Sequence, residues 1–126
     1  MRAVTLRISY LCLFTAARVM WGPNALAADR EGHYGVMGMG TQSCGAYTEA
    51  RGRGIDLEFR HWVAGYITAM NALLPETYEI TGKTDLPGVL GWLDNFCRQN
   101  PTRQFAGAID EAMVFLQPKR TRASHP

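Results

Sequence analysis

From Asp56 to Leu116 the apolar residues return in three runs at intervals of three and four, and that period commits the chain to helices with one face to bury. The first stripe is Phe59, Trp62, Val63, Tyr66, Ile67, Met70, Leu73 and Leu74. The second is Leu86, Val89, Leu90, Leu93, Phe96 and Cys97, and the third is Phe105, Ala108, Ile109, Ala112, Met113 and Leu116. No run alternates with period two. Three amphipathic helices, each needing a partner for its apolar face, predict an all-α protein, a small three- to four-helix bundle.

Local signals delimit these helices. Asp56 is placed to cap the first, with Glu58 favourable in its first turn and Pro75 ending it. The second is predicted to start near Asp85 with Pro87 in its first turn, and to end at the Asn100-Pro101 step, where Asn100 as cap and Pro101 as first residue open the third. Pro118 closes that one. Gly65 inside the first helix costs roughly 1 kcal/mol relative to alanine, which predicts close packing against it. Ahead of the helices, Glu31 to Gly45 holds six glycines without a period and reads as an arm over residues 28–43, and Ala46 to Arg51 adds at most a short helical turn. The helical domain is expected over 44–117 and a flexible basic tail over 118–126.

The amino terminus has the marks of an export signal. Met1 to Ala27 holds Arg2, Arg7 and Arg18 and no acid, with a ten-residue apolar run at Ile8 to Ala17 and small residues at Ala25 and Ala27, so cleavage is expected after Ala27. The rival is an uncleaved anchor from Ile8 to Ala28, which Arg18, Pro23 and Asn24 weaken. Removing those three arginines from thirteen basic residues leaves ten against eleven acids, a net charge near −1. Such a balance argues against nucleic acid as a partner, and cleavage leaves no stable membrane insertion. The location implied is periplasmic or secreted.

In an oxidising compartment the two cysteines left, Cys44 and Cys97, have one possible connectivity. A bridge between them closes a loop of 54 residues, and the chain-entropy estimate for such a loop is about 4 kcal/mol. No second Cys or His stands at zinc-like spacing from either, so no metal is expected.

Catalytic chemistry is not visible. His33 sits in a glycine loop, His61 on a helix near Glu58 and His125 in the tail, with no reason to meet. Asp56, Glu58, Asp94, Asp110 and Glu111 read as helix-surface or helix-start charges rather than an acid/base pair. Gly38 to Ser43 has the look of a phosphate loop but lacks the preceding strand such a loop needs. No catalytic residue and no cofactor are expected. Trp62, Tyr66, Trp92 and Phe96 exceed what so small a core requires, which leaves core or a partner-binding surface, the latter with Trp62, Asn71 and Trp92 as its residues.

Cys44, then Trp62-Val63-Ala64-Gly65-Tyr66 with Asn71, then Asn95-Phe96-Cys97-Arg98-Gln99-Asn100-Pro101 and a final alanine-containing helix, together resemble the HdeA family of periplasmic acid-stress chaperones. They are similar too to the Tai-type immunity proteins of type VI secretion. The resemblance spans about Cys44 to Leu116 and implies a Cys44–Cys97 disulfide, close packing at Gly65 and Tyr66, and a helix start at Pro101. It implies a non-catalytic protein that binds other proteins: unfolded clients for an HdeA-like acid chaperone, or a cognate effector for an immunity protein. A homodimer fits either, and a small enzyme is the remote alternative.

Overall fold

The computed structural model describes residues 28–122; the expected export signal and the last four residues, His125 included, lie outside them. Residues 28–34 and 35–122 belong to different compact units. The first of these is a single turn in which the Asp29 carboxylate accepts from the backbone N–H groups of Glu31 and His33, at 3.0 and 2.7 Å.

In the second unit four helices follow one another: α1 Cys44–Gly52, α2 Leu57–Leu73, α3 Leu86–Gln99 and α4 Phe105–Leu116. Among the described residues there is no strand, only two isolated antiparallel bridges, Ser43 with Gln104 and Glu79 with Thr121. None of these helices is long and apolar enough to cross a membrane. The all-α bundle expected from the three stripes is the observed fold, with α1 as the fourth helix. Cys44 and Cys97 are disulfide-bonded, their Cα atoms 4.8 Å apart.

Caps explain most of the boundaries. Ser43 Oγ accepts from Ala46 N at 3.1 Å and starts α1. Asp85 does the same for Gly88 N at 2.9 Å, with Pro87 in the first turn of α3 as predicted. The Asn100-Pro101 step corrects the expectation. Asn100 donates its side-chain amide back to the Phe96 carbonyl at 2.9 Å, so it closes α3 instead of opening α4. The turn after it is occupied elsewhere: Pro101 and Arg103 carbonyls accept from Gly45 N and Cys44 N at 2.9 and 2.8 Å. Those are first-turn donors of α1 that have no partner within their own helix. α4 therefore begins only at Phe105, whose N–H is taken by the Gln42 carbonyl at 2.8 Å.

α4 supplies the centre of the core. Its whole predicted stripe is buried, with Ala106 added, and Val89, Leu90, Leu93 and Cys97 of α3 pack against it with Tyr47 of α1. α2 contributes less than its stripe predicted. Phe59 and Val63 are buried, Trp62, Tyr66, Ile67 and Met70 are half-covered, and Leu73 is 75% exposed.

The glycine-rich arm is packed rather than loose from Gly35 onward. A 3-10 turn, Gly38–Thr41, lies against α2 and α4. The tail is a second correction, since Pro118 to Arg122 do not trail freely. A 3-10 turn over Gln117–Lys119 leads to Thr121, which exchanges backbone hydrogen bonds with Glu79 at 3.0 and 3.3 Å. Gly82, at φ +64°, lets that strap close: a Cβ there would stand 2.2 Å from the Lys119 carbonyl oxygen.

Candidate functional site

Along α1 the residues Cys44, Tyr47 and Arg51 succeed one another at spacings of three and four, and along α3 so do Leu90, Asp94 and Cys97, so each set shares one face of its helix. The two faces meet as an antiparallel seam. At one end lies the disulfide. In the middle the Tyr47 hydroxyl donates to Asp94 Oδ1 at 2.8 Å, with the Leu90 carbonyl 3.3 Å away. At the far end the Arg51 guanidinium grips Asp94 in a bidentate pair, Nε to Oδ1 at 2.9 Å and Nη2 to Oδ2 at 2.7 Å. Its remaining nitrogen, Nη1, donates to Asp56 Oδ2 at 3.0 Å, just before α2 begins. One arginine thus joins the first three helices, which accounts for an Asp56 that occupies the cap position without capping.

Beneath this clamp is the aromatic heart of the core. The Tyr47 ring packs against Phe59 and Phe105 at centroid distances of 5.4 and 4.7 Å, and Phe59 meets Phe105 edge-on at 5.0 Å. The Tyr47 side chain therefore has its ring in the core and its hydroxyl in the clamp.

The charges are shifted accordingly. Hydrogen bonding from Arg51 holds the Asp94 carboxyl below its ordinary range, against an opposing desolvation effect and with help from the Tyr47 hydroxyl. Burial, then the neighbouring Asp94, pushes the Tyr47 phenol well above its usual value. The Asp94 pair raises the Arg51 guanidinium further still. The clamp is not sealed from water, since the side chains of Arg51 and Asp94 are 32% and 23% exposed. An open cleft of about 360 Å³ lined by Thr48, Arg51, Gly52, Asp94 and Arg98 leads to it. Solvent protons have direct access.

The residues singled out from sequence are distributed differently. Gly65 faces solvent, and a Cβ built on it meets nothing within 4 Å, so the expected close packing is absent there; α2 turns that side away from the core. Close packing occurs instead at Gly40, where a Cβ would lie 2.2 Å from the Trp62 ring. Tyr66 is half-buried, and its hydroxyl is hydrogen-bonded to Asp110 of α4. Trp62 and Asn71 are both engaged within the chain. The Trp62 indole N–H donates to the Met37 carbonyl at 2.8 Å, and the Asn71 carbonyl oxygen accepts from Ile80 N at 2.7 Å. Trp92 stacks on Phe96 at 5.2 Å and on Phe115 at 6.1 Å, at the surface of the α3–α4 pair. His61 and Glu58 are exposed on α2, and no three His, Cys, Asp or Glu side chains among the described residues gather to hold a metal ion.

Sequence reasoning missed Tyr47, Arg51 and Asp94 as a unit. The usable signal was the cysteine pair: once Cys44 is joined to Cys97, an α1 with period 44, 47, 51 faces an α3 with period 97, 94, 90, and a tyrosine and an arginine confront one aspartate. No protein-family model, curated protein or solved structure matches this chain.

Proposed function

We propose that this protein is an exported, non-catalytic, protein-binding helical domain that acts as an acid-triggered chaperone of the HdeA-like kind. The observation that supports this reading is the pairing of two fasteners on one seam. The disulfide is indifferent to protons, whereas the Arg51 clamp depends on two carboxylates. Acid releases the second and leaves the first.

The depressed Asp94 sets a threshold. A carboxyl held below its ordinary range stays charged through mild acidity, so the clamp persists there and fails only in strong acid. Below about pH 3 the ten Lys and Arg of the processed chain, its three histidines and its amino terminus carry a net charge of roughly +14 in place of −1. Repulsion then opposes compactness as the clamp opens. Loss of the Tyr47–Asp94 bond frees the aromatic heart, Tyr47 with Phe59 and Phe105, as an apolar surface for unfolded clients, while the Cys44–Cys97 bond keeps α1 attached to α3.

The test uses the processed, oxidised protein at neutral pH and at about pH 2.5. Apolar-dye binding should rise in acid, and acid-induced aggregation of model periplasmic proteins should fall when the protein is present. Dye binding without protection of clients means ordinary acid unfolding and overturns the proposal. A single stoichiometric partner captured at neutral pH, with no gain of binding in acid, overturns it in favour of the immunity-type reading.

A further inference from the structure

The clamp leaves unused the other side of the α3–α4 pair. There Trp92 lies nearly parallel to Phe96, and Phe115 continues the stack from α4. Trp92 and Phe96 are only half-covered, and Phe115 and Val114 are 52% and 68% exposed. The cationic run Lys119-Arg120-Thr121-Arg122 begins one turn beyond Phe115. The Lys119 ammonium sits 4.6 Å from the Phe115 ring centroid. The pairing of Thr121 with Glu79 fixes the backbone of this run, so the cations are held at the edge of the aromatic face.

We infer that the face formed by Trp92, Phe96, Val114 and Phe115, edged by Lys119 and Arg120, is a docking surface for an anionic lipid bilayer. Charge complementarity decides the occupant. Aromatic and aliphatic side chains that project outward beside Lys and Arg match the boundary between headgroups and acyl chains, where the ring enters and the cation meets phosphate. The nearby acids do not cancel the charge. Glu111, one turn before Phe115, is paired with Arg103 at 3.4 Å, and Glu76 meets only Arg122, at 3.7 Å. Arg120 Nη1 has a carbonyl, that of Gln117, as its partner at 3.2 Å. Adsorption of this kind is peripheral and needs no spanning helix. It is independent of the clamp, because the face is already formed at neutral pH.

The experiment is co-sedimentation of the processed, oxidised protein with vesicles at neutral pH in about 50 mM salt, comparing pure phosphatidylcholine with about 30% phosphatidylglycerol. Binding to the anionic vesicles alone is expected, and about 0.5 M salt should remove it. The double variant K119Q/R120Q should lower partitioning about 25-fold, from the usual contribution of a cation near an anionic surface. F115S should lower it by about tenfold or more while leaving the salt response in place. Equal urea midpoints of both variants and parent establish that the fold is kept, and if F115S alone is unfolded the charge variant still decides. Failure to sediment with anionic vesicles, equal sedimentation with neutral ones, or binding that survives both K119Q/R120Q and high salt each overturns the inference. A failed result here leaves the acid-chaperone proposal standing, since that one is read out in acid and without lipid.

Discussion

Asp94→Asn is the most informative single change, because it preserves the shape of the side chain while removing the charge on which the clamp depends. In the parent, Asp94 accepts three hydrogen bonds, two from Arg51 and one from Tyr47. An asparagine offers one carbonyl oxygen, and its NH2 group must face a donor of either Arg51 or Tyr47. At least one charge-assisted bond is lost and one donor is left opposed to another, for a cost of about 2 to 3 kcal/mol. Asp56 still pairs with Arg51 at 3.0 Å, so the guanidinium is not stranded and the cost stays below that of a fully orphaned buried charge. For a domain of this size the loss corresponds to a fall in Tm of roughly 10 to 20 °C. The pH dependence separates the clamp from a packing defect. Because the folded-state pKa of Asp94 lies below the unfolded value, its stabilisation is complete above about pH 4 and is lost as pH falls through the lowered folded value. The parent-to-variant difference in urea unfolding, followed by far-UV circular dichroism with the disulfide intact, should therefore be constant from neutral pH to about pH 5 and shrink towards zero in stronger acid. A difference that stays constant down to about pH 2.5, or no difference at neutral pH, refutes the reasoning. Glu49→Gln is the control: its partner Arg53 is 3.3 Å away on an exposed helix face, and loss of such a pair should change stability by less than about 0.5 kcal/mol.

Cys97→Ser should lower stability by about 4 kcal/mol, the chain-entropy value for its loop, and free-thiol titration of the parent should find Cys44 and Cys97 unreactive until reductant is added. Gly65→Ala should stabilise by up to about 1 kcal/mol because its new methyl meets only solvent, while Gly40→Ala should cost about 1 to 3 kcal/mol by driving a methyl into the Trp62 ring; thermal unfolding of the pair checks both signs. The raised pKa of Tyr47 keeps its share of stability complete below about pH 10 and loses it as pH rises through the folded value, so absorbance titration should show one phenol ionising late, and Tyr47→Phe should remove that late step.

The sequence was most informative where local chemistry and burial agree. The stripe of α4 was legible residue for residue, because six apolar positions at helical spacing had no competing role and all six are buried. α1 was underestimated for the opposite reason. Its apolar content is low, and its place in the core rests on Tyr47 and Cys44, whose partners lie far along the chain. At Asn100-Pro101 a correct local rule lost to tertiary demand, since the carbonyls of Pro101 and Arg103 serve the first turn of α1 and cannot at the same time begin α4. Gly65 shows the limit of reasoning from cost. A glycine that weakens a helix suggests a compensating contact, but on an exposed face the penalty of about 1 kcal/mol is simply carried. Asp94 looked like a surface charge because periodicity describes one helix at a time, and its role exists only across two.

The order in which the two fasteners fail follows from their chemistry. The disulfide contributes about 4 kcal/mol by restricting the unfolded chain, and that contribution does not change with proton concentration. The Asp94 end of the clamp contributes about 2 to 3 kcal/mol in the folded state and disappears on protonation. A domain of this length has of order 5 to 10 kcal/mol in all, so losing the clamp while the net charge climbs towards +14 is enough to bring the folded and opened states close together. The opened state is not an unrestricted chain, because Cys44 and Cys97 still hold the start of α1 against the end of α3. Of the two helix partners that Arg51 joins to α1, α2 thus has no covalent tie to it and α3 does. Separation in acid should begin at the α1–α2 junction, where Phe59 leaves Tyr47, rather than at the α1–α3 seam. The first surface to appear is then aromatic, and it lies beside the acid-sensitive group that released it.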